Sequence, residues 1–261
     1  MTAHFQAGFL ERLAFNSCKG MSLKTLMGRN AAISTAAETI WTPGATYAQV
    51  TTAVAFEAIS SSTNDTSAGT GARTISVDLV DGNYAQTTVT VTMNGTTAVA
   101  ITGTFVACNG ARVLTAGSTG SNAGNVDIRT VSGSVVKRRI ATLAAGSGGI
   151  DQDFLYTIPA NHVGVVKNID FGGTGLTGGV SVYLLKYDSV GMIQVIGLAQ
   201  VGLSTIVTSP SNPSDFRLDF DPGYFIPEKS LIELRVIATA GAGDFSAIGT
   251  LILSDRSSGG I

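Results

Sequence analysis

Few residues in this chain have the type and spacing that chemistry requires. There are two histidines, His4 and His162. Nucleophilic catalysis needs a base within hydrogen-bond reach of a hydroxyl or thiol, with an acid behind it. Neither histidine has that arrangement in its neighbouring sequence, and His162 follows the turn Pro159-Ala160-Asn161, where an exposed polar residue is expected. Cys18 and Cys108 lie far apart and far from any metal-like spacing, so each reads as a small buried hydrophobe. No catalytic residue, no metal site and no cofactor is expected.

Two carboxylate pairs, Asp151/Asp153 and Asp219/Asp221, have a spacing that puts both members on one strand face or on either side of a turn. Calcium would need several more oxygen ligands nearby, so these read as solvated strand ends. Gly173-Thr174-Gly175-Leu176-Thr177-Gly178 matches G-x-G-x-x-G letter for letter. That fingerprint works when the loop feeds a helix whose N-terminus receives a pyrophosphate. Here it feeds Val180-Ser181-Val182-Tyr183-Leu184-Leu185, which is strand-like, so the glycines predict a β-turn. Lys137-Arg138-Arg139 is the densest basic cluster, too short for a nucleic-acid stripe, and reads as a solvated strand or linker. A net charge of −2 provides no field to attract nucleic acid. A sugar platform needs exposed aromatics, and the chain has one tryptophan, Trp41, and 7% aromatics; Tyr47, Tyr84 and Tyr224 could contribute, but packing in a core or interface is the expectation.

The elements that must position these residues are strands. Val54, Phe56 and Ala58 alternate with polar positions, as do Ile75, Val77 and Leu79, then Val89, Val91 and Met93. A period of two places such residues on one face of a strand. Asp81-Gly82-Asn83 and Asn94-Gly95 supply hairpin turns between them. After the glycine-rich stretch 144–149, a linker candidate, Phe154, Tyr156 and Ile158 alternate, then Val163, Val165, Lys167, Ile169 and Phe171. Later strands are expected at 180–187, from Met192, at Phe216 to Phe220 ending in Asp221-Pro222-Gly223, and over 231–238 and 245–253. Short strands with glycine punctuation predict sandwiches or barrels, not βαβ units.

The fold expectation is therefore all-β: two β-sandwich or jelly-roll-like domains, 37–135 and 136–261, preceded by an N-terminal arm, 1–36, with a possible helix. In the arm, Phe5, Phe9, Leu10 and Leu13 recur at helical spacing. Their apolar side must rest on the chain's own sandwich or on a neighbouring subunit, and they are the candidate anchor to a partner. Phe5 to Phe15 is broken by Glu11 and Arg12, and Met192 to Leu203 falls short of the roughly 20 residues that span a bilayer. Synthesis and assembly in a cytoplasm, without secretion, is the expectation. Charged residues make up only 13% of the chain, about half the usual share. A surface of hydroxyls and glycine is cheaper to desolvate than one of ions, which suits a protein covered by other subunits or one rich in glycine turns.

The segment Asn64-Asp65-Thr66-Ser67-Ala68-Gly69-Thr70-Gly71-Ala72-Arg73-Thr74, continuing through Leu79-Val80-Asp81-Gly82-Asn83-Tyr84 to Val91-Thr92-Met93-Asn94-Gly95-Thr96-Thr97, resembles a strand–turn–strand pattern of structural proteins of tailed bacteriophages. The loop 115–125, Tyr156-Thr157-Ile158-Pro159-Ala160 and Ile226-Pro227-Glu228-Lys229-Ser230 are similar too, so the likeness covers roughly residues 40 to 255. The resemblance implies a non-enzymatic virion protein, foremost a capsid decoration or cement protein on the outside of the head. A tail, collar or fibre-base component, or a host-glycan-binding adhesin, are the alternatives. It implies the major capsid protein or other virion proteins as partners, and a homotrimer matching local threefold positions.

Overall fold

The computed structural model describes residues 18–142, 148–175, 179–201 and 216–256. Phe5, Phe9, Leu10, Leu13 and His4 lie outside them, as do positions 176–178 of the glycine motif. The described residues form fifteen strands and no α-helix. The chain is all-β, as its period-two patterning predicts.

Three antiparallel sheets account for the strands. In the first, β1 (Met21–Ile33), β15 (Gly243–Asp255), β10 (His162–Thr174) and β13 (Phe216–Ile226) lie side by side in that order. In the second, the order is β12 (Ile193–Val201), β11 (Val180–Tyr187), β14 (Leu231–Ala238) and β2 (Glu38–Thr39), with β9 (Leu155–Thr157) also on β14. These two sheets face each other across one core. Leu26, Phe171, Phe245 and Leu251 come from the first sheet, and Val182, Leu184, Leu234 and Val236 from the second. Burial of each such side chain stabilises by about 1.5–3 kcal/mol. Phe154, buried, lies against Gly28 and Gly249 of the first sheet. A Cβ on Gly28 would meet the Phe154 Cβ at 2.7 Å, and one on Gly249 would meet its ring at 2.5 Å. Glycine at these two positions is what lets the ring reach the sheet.

The third sheet has the order β5 (Gln86–Thr92), β4 (Ala72–Asp81), β6 (Val99–Ala116), β3 (Val54–Ser60), β7 (Val126–Thr130) and β8 (Val136–Ile140). The long β6 pairs β3 through its first half and β4 through its second, with several register shifts. Strands from both ends of the sheet thereby share a core that includes Phe56, Ile75, Leu79, Val91, Ile128 and Ile140.

This architecture moves the expected boundaries. Ser22 to Met27, assigned by sequence to an arm with a possible helix, lies in a thirteen-residue strand that pairs with β15 from Met21↔Ser254 to Asn30↔Phe245. Leu26, Gly28 and Asn30 are buried at a period of two; six residues after a glycine are too few for a helical period to outweigh sheet pairing. Residues 21–39 therefore belong to the sandwich with the C-terminal strands, not to an arm. Nor does the second unit begin at 136, because β8 completes the third sheet. The third-sheet unit, residues 50–142, is inserted into a sandwich built from both ends of the chain.

Two turns also differ from expectation. At Asp81-Gly82-Asn83 the positive φ falls on Tyr84 (63°), while Gly95 carries one itself (62°). Asp221-Pro222-Gly223 does not end a strand: β13 runs to Ile226, with register passing from Asn168↔Asp219 to Val166↔Tyr224, so residues 220–223 bulge.

Candidate functional site

The chemistry-bearing side chains converge at the junction between the two units. β8 carries Lys137, Arg138 and Arg139 there, and the chain leading into β9 carries Asp151 and Asp153. The sequence expectation that these groups are solvated is wrong. Arg138 is 1% exposed and Lys137 3%, and the Asp153 side chain is fully buried. The pattern Val136-Lys137-Arg138-Arg139-Ile140 looks like a polar surface strand, yet both of its faces are covered.

Arg138 uses all five of its donors. Its Nε and Nη2 donate to the carbonyl oxygen of Cys108 at 3.1 and 2.5 Å, and Nη2 also donates to the Leu155 carbonyl at 3.0 Å. Nη1 donates to Asp151 Oδ2 at 3.0 Å and to the Asp153 carbonyl at 2.9 Å. Burial opposes the guanidinium charge, but the nearby carboxylates of Asp151 and Asp153 outweigh it and raise the pKa. Asp153 accepts from Thr42 N and Oγ1 at 3.0 and 2.9 Å through one oxygen, and from Arg139 N at 3.0 Å through the other. Asp151 Oδ1 accepts from Ala111 N at 3.0 Å. Burial pushes the Asp151 carboxyl up to about 6 against the pull of Arg138. It likewise raises Asp153 against Arg138 and the two backbone donors. Cys108, directly beneath, is a buried thiol pushed up to about 12 by burial, far from the thiolate that reacts. Lys137 Nζ donates to the Ala48 carbonyl at 2.5 Å and sits 5.3 Å from the Tyr47 ring centre; burial lowers its ammonium to about 8.

Neutral contacts extend the joint. Asn109 and Thr157 exchange two hydrogen bonds of 2.8 Å, and Ala160 N donates to the Tyr84 carbonyl at 2.8 Å. Beside Asp151 a cleft of about 220 Å³ opens, lined by Thr25, Met27, Asp78, Asn109 and Arg112 among others. Asp78 there accepts from Thr88 Oγ1 at 2.6 Å. Among the described residues, no three of His, Cys, Asp and Glu come together as a metal site would need.

Two further buried carboxylates escaped the sequence reading. Glu233 on β14 is fully buried beneath Thr39, Tyr187 and Arg235: Thr39 Oγ1 donates at 2.5 Å, Arg235 Nε at 2.7 Å, and the Tyr187 hydroxyl also donates. Asp65, also fully buried, accepts from Ser60 Oγ (2.5 Å), Ala72 N (2.6 Å), Ala123 N (2.8 Å) and Gly124 N (2.9 Å), tying loop 61–71 to loop 117–125.

The remaining candidates stay apart. His162 Nδ1 lies 2.9 Å from the Ala160 carbonyl at the start of β10. Asp219 pairs with Arg217 at 2.7 Å on an exposed strand. Trp41 and Tyr47 are buried edge-to-face, 5.3 Å between ring centres, and Tyr84 is buried too, so they form no open platform. Tyr224 is half-buried against Phe220. Gly173 to Gly175 runs off the end of β10, and the next described strand is β11, not a helix.

No family model matches the chain, and no curated protein matches it. Among solved structures it is similar to one of infectious bursal disease virus, Gt strain, at 11% identity and a TM-score of 0.25, covering 95% of this chain and 78% of that one. The VP2 subviral particle of infectious bursal disease virus gives 10% and 0.22, with coverages of 90% and 72%. The T=1 particles derived from infectious bursal virus give 13% and 0.22, with 90% and 70%. Values of this size carry no argument about fold or role.

Proposed function

We propose that this protein is a structural component of a tailed-phage virion, and within that class a capsid decoration protein that binds the outside of the head as a homotrimer. It acts by association, not turnover. One observation carries the reading: an uncharged, apolar edge strand. β12 pairs only β11 among the described strands, and no charged residue occurs from Ser189 to Val201. Val190, Met192, Ile193 and Val195 are 74%, 69%, 54% and 55% exposed. The strand is bulged once, at Ile196 between Gly197 and Val195, but carries none of the charge or proline with which monomeric proteins blunt an edge; a cluster of exposed large apolar residues marks an interface. A different open edge of a neighbouring copy fits it by strand pairing, the head-to-tail contact that a trimer requires. The resemblance at residues 64–97 supports the phage assignment, and a tail or collar station uses the same association.

Copy number in purified particles tests this. Hundreds of copies per particle agree with head decoration, and a handful place the protein in the tail or collar. Absence from particles overturns the virion reading.

A further inference from the structure

Sheet edges expose backbone N–H and C=O groups, and most edges among the described strands are already blunted or covered. β13 carries Arg217, Asp219, Asp221 and Pro222 and shifts register beside β10. β1 carries Lys24 and Arg29, and the Arg29 N–H donates to the Gln152 carbonyl at 3.1 Å. β8 is closed by the joint, where Arg139 N donates to Asp153. β2 and β9 are two and three residues long. Their Thr39 and Thr157 N–H groups are taken by the Ala45 carbonyl and Asn109 Oδ1. Two edges remain, β12 and β5. The β5 sequence, Gln-Thr-Thr-Val-Thr-Val-Thr, has no charge and no proline, and the strand pairs only β4.

Register fixes which groups these two edges leave open. The β4–β5 ladder includes Asp81 N donating to the Ala85 carbonyl at 3.0 Å and Met93 N donating to the Arg73 carbonyl at 2.9 Å. Odd-numbered residues of β5 therefore turn their N–H and C=O towards β4, and Thr88, Thr90 and Thr92 turn theirs outward. The side chains of Val89 and Val91 pack on the core, which leaves those of the three threonines exposed. On β12, Asp188 N donates to the Met192 carbonyl at 3.1 Å, so Ile193 and Val195 turn their backbone groups outward.

We infer that the two edges form one interface, β12 of one copy pairing β5 of the next, with Ile193 and Val195 against Thr88, Thr90 and Thr92. This rests on the association through β12 proposed above and names the strand opposite it; it does not rest on the virion reading. All five side chains are β-branched, the type that packs best across paired strands. No ion is desolvated when they meet. The contact is head-to-tail, so repeating it covers both open edges of every copy, and three such contacts close the trimer. Pairing β12 with another β12 stops at two copies and leaves β5 bare.

The test co-expresses two full-length chains, Val195→Cys and Thr90→Cys, each with Cys18→Ser; Cys108 is buried. After mild oxidation the products are read by intact mass and denaturing gel. A disulfide-linked mixed dimer is expected, with at least tenfold less product from either variant alone. Val195→Cys linking efficiently to itself assigns β12 to self-pairing and overturns the inference. So does the absence of a mixed product from chains that sediment as an oligomer. Chains that sediment only as monomers overturn both the inference and the association through β12, while copy number in particles decides the virion reading separately. A second measurement uses Thr90→Pro. Proline there removes an N–H that β4 does not use, a position where an edge strand tolerates it. Folding should be retained and self-association weakened at least tenfold in sedimentation. A folded Thr90→Pro that associates like the parent overturns the inference.

Discussion

The guanidinium of Arg138, on the last strand of the inserted unit, donates to the carbonyl oxygen of Asp153 at 2.9 Å, two residues before the sandwich resumes at Leu155. This bond and its four companions make the two units one body. A planar five-donor group meets three carbonyls and a carboxylate around a single point, which a lysine cannot reproduce.

Arg138→Met is expected to destabilise the protein by about 3–5 kcal/mol, because it leaves Asp153 buried beside unpaired carbonyls. Arg138→Lys should recover little of the loss. Urea unfolding of both variants, beside His162→Ala at about 1 kcal/mol or less, checks the ranking. Equal effects at Arg138 and His162 would falsify the role of the joint.

The Asp151 carboxyl, at about 6 in the folded protein, lies above its ordinary value of 3.8. The folded state therefore binds this proton more tightly than the unfolded chain does. Its contribution favours folding increasingly as pH falls from about 6 towards 4, and is lost as pH rises through 6. In Asp151→Asn that component disappears, so unfolding free energies compared at pH 4.5 and 7 should shift relative to the parent in that sense. An unchanged pH profile contradicts the assignment.

Asp65→Ala removes the acceptor for three backbone N–H groups and one hydroxyl, and is expected to cost at least about 2 kcal/mol. Gly71→Ala acts on the same point, since its Cβ would stand 2.0 Å from Asp65 Oδ1. Of the two hairpin glycines, Gly95→Ala should be the more damaging. It combines a positive φ with Thr63 backbone 3.2 Å away, whereas Gly82 meets only the Ala53 side chain at that distance. Thermal melts of the four variants order them.

Ile193→Lys and Val195→Lys charge the exposed edge of β12. Folding should be retained, because both side chains are more than half exposed, while self-association and particle binding are lost. Sedimentation velocity at micromolar concentration reads the first effect and particle pull-down the second. A parent that is monomeric at every concentration and fails to bind particles removes the proposed assembly.

The strands were legible because half-buried sheets impose a period of two, visible at Val54-Phe56-Ala58 and Ile75-Val77-Leu79. Their partners were not. Pairing β1 with β15 joins residues more than two hundred positions apart, and nothing local in Ser22-Leu23-Lys24 announces it. The buried ionic groups stayed hidden for a related reason. Asp153 and Arg138 read as surface residues because charge is ordinarily solvated, and only the insertion of one unit into the other covers them. Glu233 did leave a trace: Leu231-Ile232-Glu233-Leu234-Arg235 sets a carboxylate and an arginine two apart on one strand face within an apolar run. Asp65 left less, since an aspartate among serines, threonines and glycines looks like any turn.

Because β1 and β15 are neighbours, the first sheet cannot close until a ribosome has made residue 255, while the third sheet has every strand it needs by residue 140. The inserted unit can therefore be complete when β1 and β2 still wait for partners. During that interval the waiting strands present an unpaired apolar edge, the kind of species that aggregates or exchanges between chains. Closing the sandwich then brings together strands separated by almost the whole sequence, and such long-range pairing is slow. Synthesis order thus makes the insert the template and the sandwich the last part to form, with Arg138 already fixed in place to receive Asp151 and Asp153 as they emerge.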